Sequence, residues 1–320
     1  MKLPMVSVIM PVYNTQRYIA EAVESILSQT FTDFEFIIID DGSTDGSLAI
    51  LQKYAAQDDR IRLVSRPNTG IVGALNEGIY MARGEYIARM DSDDVSTALR
   101  IAREVNYLES HRECVAVSCP TILIDPDGMP LFLPDFVTGH DEIDAQYLTG
   151  RGGGMAHPAS LIRRQDLDAI GGYRQEYEAC ESIDLFLRLA EKGCLANLPD
   201  RLYLYRQHLG SVTHAGGRSQ RNRSVARLLS ETYKRRGMPT LKIGSAYEVK
   251  EKSCSDQYMV WGWWAFSCGF WRTARKYGLK SVYYRPFSHA AWRLAVCTLM
   301  GRYKSQIAKR TGLLSGNVDS

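Results

Sequence analysis

The fold is decided by the stretch Phe34-Glu-Phe-Ile-Ile-Ile-Asp-Asp-Gly-Ser-Thr-Asp45, in which a strand-like apolar run ends in carboxylates. The run 34–39, which is apolar apart from Glu35, predicts a buried strand. Similar runs occur at Val6–Val12, 61–64 and 86–90. Because helical segments separate these strands, the pattern predicts βαβ units and an α/β fold with a mostly parallel sheet.

The helical segments are recognised by apolar residues that repeat at a spacing of three and four. We expect helices at 17–29, 47–56, 72–83, 98–110 and 183–192, and a further strand at 115–118. Ligands of such sheets bind beyond the carboxyl ends of the strands. The functional residues should therefore follow the strands directly.

Charge divides the chain into two regions. Residues 201–320 contain 22 Lys/Arg and 5 Asp/Glu, a net charge of +17, which leaves 17 Lys/Arg and 31 Asp/Glu, a net charge of −14, for residues 1–200. A charge run can be a solvated face, but an asymmetry of this size also fits two regions with different roles. We expect one domain over 1–215 and a basic, aromatic, helical region over 216–320.

The cysteines and the N-terminal residues bear on the compartment. Seven cysteines without a Cys-x-x-Cys pair argue against a zinc ribbon or a disulfide framework and favour a reducing compartment. The first residues read as the approach to a strand, and apolar runs stay shorter than the roughly 18 residues of a membrane-spanning helix. We therefore expect a cytoplasmic protein.

Two acidic clusters follow predicted strands. Asp40 and Asp41 follow the second strand, and Asp91-Ser-Asp-Asp94 follows the fourth. Either cluster alone fits a turn with a helix cap. Three carboxylates in four residues repel one another, however, and such crowding calls for a cation. Oxygen ligands suit Mn²⁺ or Mg²⁺ held together with substrate phosphates, so we predict a metal–diphosphate site.

Two other nucleotide-binding folds lack their signatures in this sequence. Met10-Pro-Val-Tyr-Asn14 stands where a dinucleotide-binding domain would carry Gly-x-Gly-x-x-Gly after its first strand. A Gly-x-x-x-x-Gly-Lys-Ser/Thr loop is also missing from the sequence. A dehydrogenase and a P-loop enzyme are therefore disfavoured.

A set of short segments carries a resemblance to a known family. They are Val6-Ser-Val-Ile-Met-Pro-Val-Tyr-Asn14, Ile39-Asp-Asp-Gly-Ser-Thr-Asp45, Asn68-Thr-Gly70, Ala74-Leu-Asn76, 82–94, Arg100, His157-Pro158, Gly171-Gly-Tyr173, 184–188 and Tyr205-Arg-Gln-His208. In this order they resemble family 2 glycosyltransferases, which have the GT-A fold, over residues 5–213. The resemblance implies a nucleotide-sugar half over about 1–120 and an acceptor half over about 121–215.

The resemblance also implies roles for individual residues. The donor nucleotide sugar would be bound by Pro11, Tyr13, Asn14, Asp40, Asp41, Asn68, Asn76 and Asp91. The metal would be held by Asp91 and Asp93, with Asp94 extending the pair and His208 near the metal or the diphosphate. His157 would lie near the acceptor. For both histidines a purely structural role remains an alternative.

The sequence departs from the family at the general base. Relatives carry Glu-Asp before an Asp-Leu-x-Leu-Arg segment, and that first Asp accepts the acceptor's proton; here the matching position is Ser182. A serine hydroxyl cannot accept a proton near neutral pH. Glu181 could act instead, the acceptor could already be ionised, or the chain could bind donor without efficient transfer. Asp184 is a further candidate, although its place in the segment suggests a positioning role.

Two interpretations of the basic C-terminal region remain open. Its aromatic residues could pack a helical extension onto the catalytic domain, or they could lie at headgroup depth with cations facing anionic lipid at the inner face of the membrane. Nothing in the acidic first half favours nucleic acid.

The expected function is inverting transfer of a sugar, with UDP as the expected nucleotide, to a glycan or lipid-linked acceptor in cell-surface polysaccharide or glycoconjugate assembly. The sequence lacks the Gln-x-x-Arg-Trp element of processive synthases, which predicts single additions. The alternative is a donor-binding scaffold that has lost its base.

Overall fold

The structure is a computed structural model that describes residues 3–209, 218–239 and 253–310, with side chains left out at 218–220 and 302–310. Two compact units are present among these residues. The first comprises 3–121, 135–205 and 218–239, and the second comprises 122–134, 206–209 and 253–310. The helix at 218–235 thus belongs to the first unit, although the sequence suggested a boundary at 215.

The first unit alternates strands and helices. In chain order its elements are β1 (Val6–Val12), α1 (Ile19–Leu27), β2 (Phe34–Asp40), α2 (Ser47–Ala55), β3 (Ile61–Ser65), α3 (Ile71–Met81), β4 (Tyr86–Arg89), β5 (Val95–Ser96), α4 (Arg100–Ser110) and β6 (Cys114–Ser118). After the segment of the second unit that carries β7 (Thr121–Ile124) and β8 (Pro130–Phe132), they continue with α5 (His140–Leu148), β9 (Leu161–Arg163), α6 (Arg164–Ala169), α7 (Glu181–Leu189), β10 (Cys194–Asn197), β11 (Tyr203–Arg206) and α8 (Arg218–Arg235). Short 3₁₀ turns occupy His157–Ala159 and Gln175–Cys180.

A seven-stranded sheet forms the centre of the first unit, in the order β10-β6-β9-β4-β1-β2-β3. β1 is parallel to β2 and β4, β2 is parallel to β3, and β10 is parallel to β6. β9 runs antiparallel to both of its neighbours. The predicted α/β fold with a mostly parallel sheet and flanking helices is confirmed.

Apolar layers cover both faces of this sheet because alternate residues of a strand point to opposite sides. Val8 and Met10 of β1 belong to one layer, together with residues of α1, α2 and α4. Ile9 of β1 belongs to the other layer, with residues of α3, α5, α7 and α8. Burial on both sides explains why the central strands are continuous apolar runs.

The parallel register brings the carboxyl ends of the central strands to one edge. Val12 of β1 pairs with Asp40 of β2, and Ile9 pairs with Arg89 of β4. The loops after β1, β2 and β4 therefore lie side by side. Asp40 ends β2, and Asp41 and the cluster 91–94 lie in these loops.

The second unit combines the β7–β8 hairpin with three helices, α9 (Cys254–Ser267), α10 (Trp271–Tyr284) and α11 (His289–Arg310). Asp125, in the hairpin turn, is buried and accepts a hydrogen bond from the Tyr277 hydroxyl at 2.9 Å and another from Lys276. The hairpin is thereby fixed to α10. In the ranges that the structure describes, we find no helix whose length and apolar content would let it span a bilayer.

Candidate active site

The loop after β1 places one aromatic side chain in solvent. Pro11 is buried within β1, whereas Tyr13 is half exposed. Asn14 adopts a left-handed φ of 53°, a conformation that Asn tolerates better than most residues. Its backbone N–H donates to Ser43 Oγ at 3.1 Å, and its Oδ1 accepts from the N–H of Thr44 at 2.7 Å. The loops after β1 and β2 are therefore joined through Asn14.

Asp40 and Asp41 are both buried and hydrogen bonded to protein groups. Asp40 accepts from the Ser65 hydroxyl at 2.8 Å. Asp41 accepts from the backbone N–H groups of Thr69 and Gly70 at 3.1 and 3.0 Å, and an oxygen of its carboxylate lies 2.8 Å from the Arg66 guanidinium. These carboxylates shape the loops around the expected donor pocket, and their direct contact with a donor stays a prediction.

Asn68 and Asn76 also bond to backbone groups. The Asn68 side chain accepts from the N–H of Gly70 at 3.2 Å, within an exposed turn. Asn76 on α3 donates to the carbonyl of Tyr173 and accepts from its N–H, both at 2.9 Å. The amide of Asn76 thus fixes the 171–173 loop to the helix that follows β3, and its predicted contact with donor is not tested.

Three carboxylates of the second acidic cluster converge. Asp91, Asp93 and Asp94 each offer one oxygen such that all three oxygens lie within 4.8 Å of one another. Asp94 is buried, whereas Asp91 and Asp93 are partly exposed. Burial and the charge of Asp93 raise the pKa of Asp91, although Arg89 opposes the shift. Convergent, partly exposed oxygens suit a hard divalent cation.

Arg89, the last residue of β4, is a buried guanidinium that forms an ion pair with Asp91. Burial by itself lowers its pKa, but the charges of Asp91, Tyr173 and Tyr203 outweigh that effect and keep it protonated. The Tyr203 hydroxyl accepts from the N–H of Asp91 at 3.1 Å. Burial and the charges of Asp94 and Asp91 raise the pKa of Tyr203, so it stays neutral.

His157 lies between the side chains of Tyr173 and Glu181, and its predicted contact with the acceptor stays a prediction. Its Nε2 is 2.7 Å from the Tyr173 hydroxyl, and its Nδ1 is 3.9 Å from a carboxylate oxygen of Glu181. Burial, together with the charge of Arg89, lowers the pKa of His157 well below its usual value. His157 is therefore neutral near pH 7, with its ring held by Tyr173.

Glu181 is the first residue of α7, and its carboxylate is oriented toward His157. Burial raises the pKa of the Glu181 carboxyl. The positive charge of Arg89 lowers this pKa and the negative charge of Asp91 raises it, so both charges act on Glu181. Ser182, the next residue, is partly buried on the same turn. The structure thus brings Glu181 together with His157 and within the electrostatic influence of Arg89 and Asp91.

Asp184 has a different environment. It is fully buried and accepts hydrogen bonds from Arg174 at 3.0 Å and from Arg188 at 2.6 and 3.0 Å. Arg188 also donates to the carbonyls of Ile170 and Gly172, both at 2.8 Å. The Asp184 carboxylate is paired with the guanidiniums of Arg174 and Arg188. This pairing fits a positioning role and not the role of a base.

Some residues of the site were not predicted. An arginine within a buried strand directly before the acidic cluster was a usable signal for Arg89. Tyr203 gave no local signal, because it lies 112 residues from Asp91 along the chain. His208 lies two residues beyond β11 and belongs to the second unit, so its predicted metal contact stays a prediction.

Comparison with known proteins gives consistent matches. The model of the family "Glycosyl transferase family 2" matches residues 7–171. EpsE of Bacillus subtilis (strain 168) is 36% identical over 211 residues, which cover 64% of this chain and 73% of EpsE. S. aureus TarS 1–349, solved in complex with UDP-GlcNAc, has a TM-score of 0.60 at 18% identity and covers 96% of this chain and 92% of its own. The mannosyltransferase PcManGT of Pyrobaculum calidifontis, solved with GDP-Man and Mn²⁺, has a TM-score of 0.53 at 19% identity, covering 97% and 84%.

Proposed function

The chain belongs to glycosyl transferase family 2 and is a glycosyltransferase, and from this premise we propose that it moves a sugar from a UDP-linked donor to a hydroxyl of a glycan or lipid-linked acceptor, with inversion at the anomeric carbon. The observation that carries the proposal is the position of the Glu181 carboxylate, 3.9 Å from His157 and within the field of Arg89 and Asp91. It is a base candidate next to the expected metal–diphosphate site.

We assign the metal to Asp91 and Asp93, with Asp94 as the buried support of the pair. Their oxygens fit Mn²⁺ or Mg²⁺, and the related fold of PcManGT was solved with Mn²⁺. When bound, the cation offsets the charge that builds on the leaving diphosphate. Arg89 limits the repulsion between the carboxylates by its ion pair with Asp91, and it holds that side chain in place.

The donor nucleotide is assigned to the loops after β1, β2 and β3. Tyr13 presents an exposed ring on which a base can stack, and TarS, which shares the fold, was solved with UDP-GlcNAc. The N–H groups of Thr69 and Gly70 are already bonded to Asp41, so the turn before α3 has a fixed shape. These loops can therefore bind a donor with little rearrangement.

Glu181 is assigned as the general base. In an inverting transfer the acceptor hydroxyl attacks opposite the departing diphosphate and must lose a proton. A positioned carboxylate contributes roughly 10²–10⁴-fold to the rate of such a step. Burial raises the pKa of the Glu181 carboxyl toward neutral pH. A general base works best when its pKa lies near the working pH, so this shift favours proton transfer. His157 is neutral and held by Tyr173, so it can orient the acceptor or the base without competing for the proton.

The test measures donor binding and UDP release with a panel of UDP-sugars and Mn²⁺. We expect Asp93→Asn to lose metal-dependent turnover. Glu181→Gln should lose roughly 10²–10⁴-fold in turnover while it retains donor affinity. The matched control is Glu176→Gln, because Glu176 is an exposed glutamate on the preceding 3₁₀ turn and should leave turnover unchanged.

The same experiment distinguishes the scaffold alternative, which Ser182 favours. If the wild type binds donor without turnover and Ser182→Asp gains it, the chain is a donor-binding protein that has lost its base. If Glu181→Gln turns over like the wild type, Glu181 is not the base. Failure of every UDP-sugar in the panel to bind would overturn the assignment of UDP as the donor nucleotide.

A further inference from the structure

The aromatic residues of the second unit fall into two groups. Those of α9 pack inside the unit: Trp261 is buried, with its ring centroid 5.2 Å from that of Tyr277, and Trp264 stacks on Phe132 at 5.4 Å. These contacts account for the first aromatic cluster as a small core. They do not account for the aromatic and apolar residues farther along the chain.

α11 has apolar residues on two sides. Ala291, Leu294, Ala295 and Thr298 are buried on one side. On the other side Trp292, Val296, Leu299 and Met300 are 52%, 46%, 50% and 56% exposed. Their spacing of four, three and one residues places them on one stripe of the helix. We call these four residues the outer face of α11. A helix face that meets only water is ordinarily polar.

The segment before α11 adds to this exposed apolar surface. Phe287, between α10 and α11, is 97% exposed, and Tyr283 near the end of α10 is also highly exposed. Isolated exposed apolar residues are common on protein surfaces, but a concentration of large ones over a short segment marks an interaction surface.

The charge of the segment indicates what this surface meets. Residues 253–310 contain ten Lys/Arg and one Asp/Glu, a net charge of +9. Lys276 and Arg285 pair with Asp127 and Asp256 at 2.7 Å, whereas Arg272 and Arg293 are exposed. A second copy docked symmetrically would bring two strongly positive segments together. An anionic partner with an apolar interior matches both properties of the surface.

We propose that the outer face of α11, with Phe287 and Tyr283, is a docking surface for an anionic lipid bilayer. The apolar side chains would enter the boundary between headgroups and acyl chains, and the neighbouring cations would face the headgroups. Each cation near an anionic surface strengthens binding by a factor of about five. The docking proposal goes beyond the transfer reaction, because release of UDP to water does not require a bilayer. The docking proposal and the proposed transfer activity can therefore fail independently of each other.

The test is flotation of the full chain with vesicles of phosphatidylcholine alone or mixed with phosphatidylglycerol. We expect binding to the mixed vesicles and little binding to the neutral ones. Val296→Glu/Leu299→Glu should weaken binding by roughly tenfold or more per side chain, because each loses its apolar contact. Arg272→Gln/Arg293→Gln should weaken it about 25-fold, the product of two cations.

Tyr80→Glu is the matched control, because Tyr80 is an exposed aromatic residue of α3 in the first unit, 91% accessible. It should bind vesicles like the wild type, and all variants should keep the wild-type melting temperature. The arginine variant retains the apolar packing of α11, so it tests the proposal even if the glutamate variant unfolds. Equal binding to neutral and anionic vesicles, unchanged binding of the folded variants, or a dimer that Val296→Glu/Leu299→Glu dissociates would each overturn the proposal.

Discussion

Replacement of Asp184 by Asn separates its structural role from a catalytic one. The carboxylate is fully buried and accepts hydrogen bonds from Arg174 and from Arg188, which in turn holds the carbonyls of Ile170 and Gly172. Asn keeps an acceptor but removes the charge, so a buried guanidinium loses its counter-ion. Such losses cost about 3–5 kcal/mol. At roughly 2–4 °C per kcal/mol for a domain of 150–250 residues, the melting temperature should fall by about 6–20 °C.

The assay is thermal unfolding of the wild type and of Asp184→Asn, combined with donor binding and UDP release at a temperature where both are folded. Asp168→Asn is the matched control, because Asp168 is exposed on α6 and should change stability by less than about 0.5 kcal/mol. Turnover of the folded Asp184→Asn variant should stay within roughly tenfold of the wild type, since the side chain is not assigned to the proton transfer. A wild-type melting temperature with abolished turnover would refute this reasoning and make Asp184 the chemical group.

Three further predictions follow from single contacts. Burial raises the pKa of the Glu181 carboxyl above 4.5, so turnover should fall as the pH drops through that raised pKa. The pH profile of Glu181→Gln should lack this acidic limb. An acidic limb at the ordinary glutamate pKa in the wild type would contradict the assignment. Asn76→Ala removes two hydrogen bonds to Tyr173 and should cost about 2–3 kcal/mol in urea unfolding, whereas the exposed Asn106→Ala should be near neutral. In the same urea unfolding Gly70→Ala should destabilise more than Gly153→Ala, although both have φ near +90°, because only the Cβ at 70 would clash with the Glu178 carboxylate. Equal losses would show that displacing the Glu178 side chain costs no stability.

The sequence predicted five of the seven strands of the central sheet, because inner strands such as β1, β2 and β4 are buried on both faces. The run 34–39 is apolar apart from Glu35, so it lacks the polar alternation of a strand with one face in water, and its pattern identifies it as an inner strand. β9 and β11 were not predicted, since each is short and the pairing that defines it comes from distant segments. Ala88 of β4 pairs antiparallel with Leu161 of β9, for example, and no local pattern carries that information.

The candidate site was predictable where its residues are neighbours in sequence. Asp91 and Asp93 are two residues apart, and the position of their loop after β4 follows from the strand pattern. The groups that set their electrostatics come together only in the fold. His157 lies between α5 and β9, whereas Tyr173 and Glu181 follow α6, and the sequence does not show that these segments meet.

The aromatic C-terminal residues show the limit of composition as evidence. Composition allowed both a packed extension and an interfacial segment. In the structure Trp261 is a core residue of the second unit itself, packed against Tyr277. The phenylalanine at 287 is almost fully exposed, so packing cannot be the reason for it. Packing therefore accounts for Trp261 but not for Phe287, and the interfacial interpretation of Phe287 stays a prediction.

The serine at the expected base position is compatible with an enzyme if the carboxylate is supplied from one residue earlier. α7 begins at Glu181, after Cys180 with φ −150° and ψ 34°, so the chain turns at the point where the base is needed. Glu has one methylene more than Asp and can reach across such a turn from the neighbouring position. Its carboxylate then lies near neutral His157 and under the opposing charges of Arg89 and Asp91. A carboxylate that is largely withdrawn from water costs free energy, and carboxyl groups with a raised pKa concentrate at functional sites, so the environment of Glu181 favours an enzyme over an inactive scaffold.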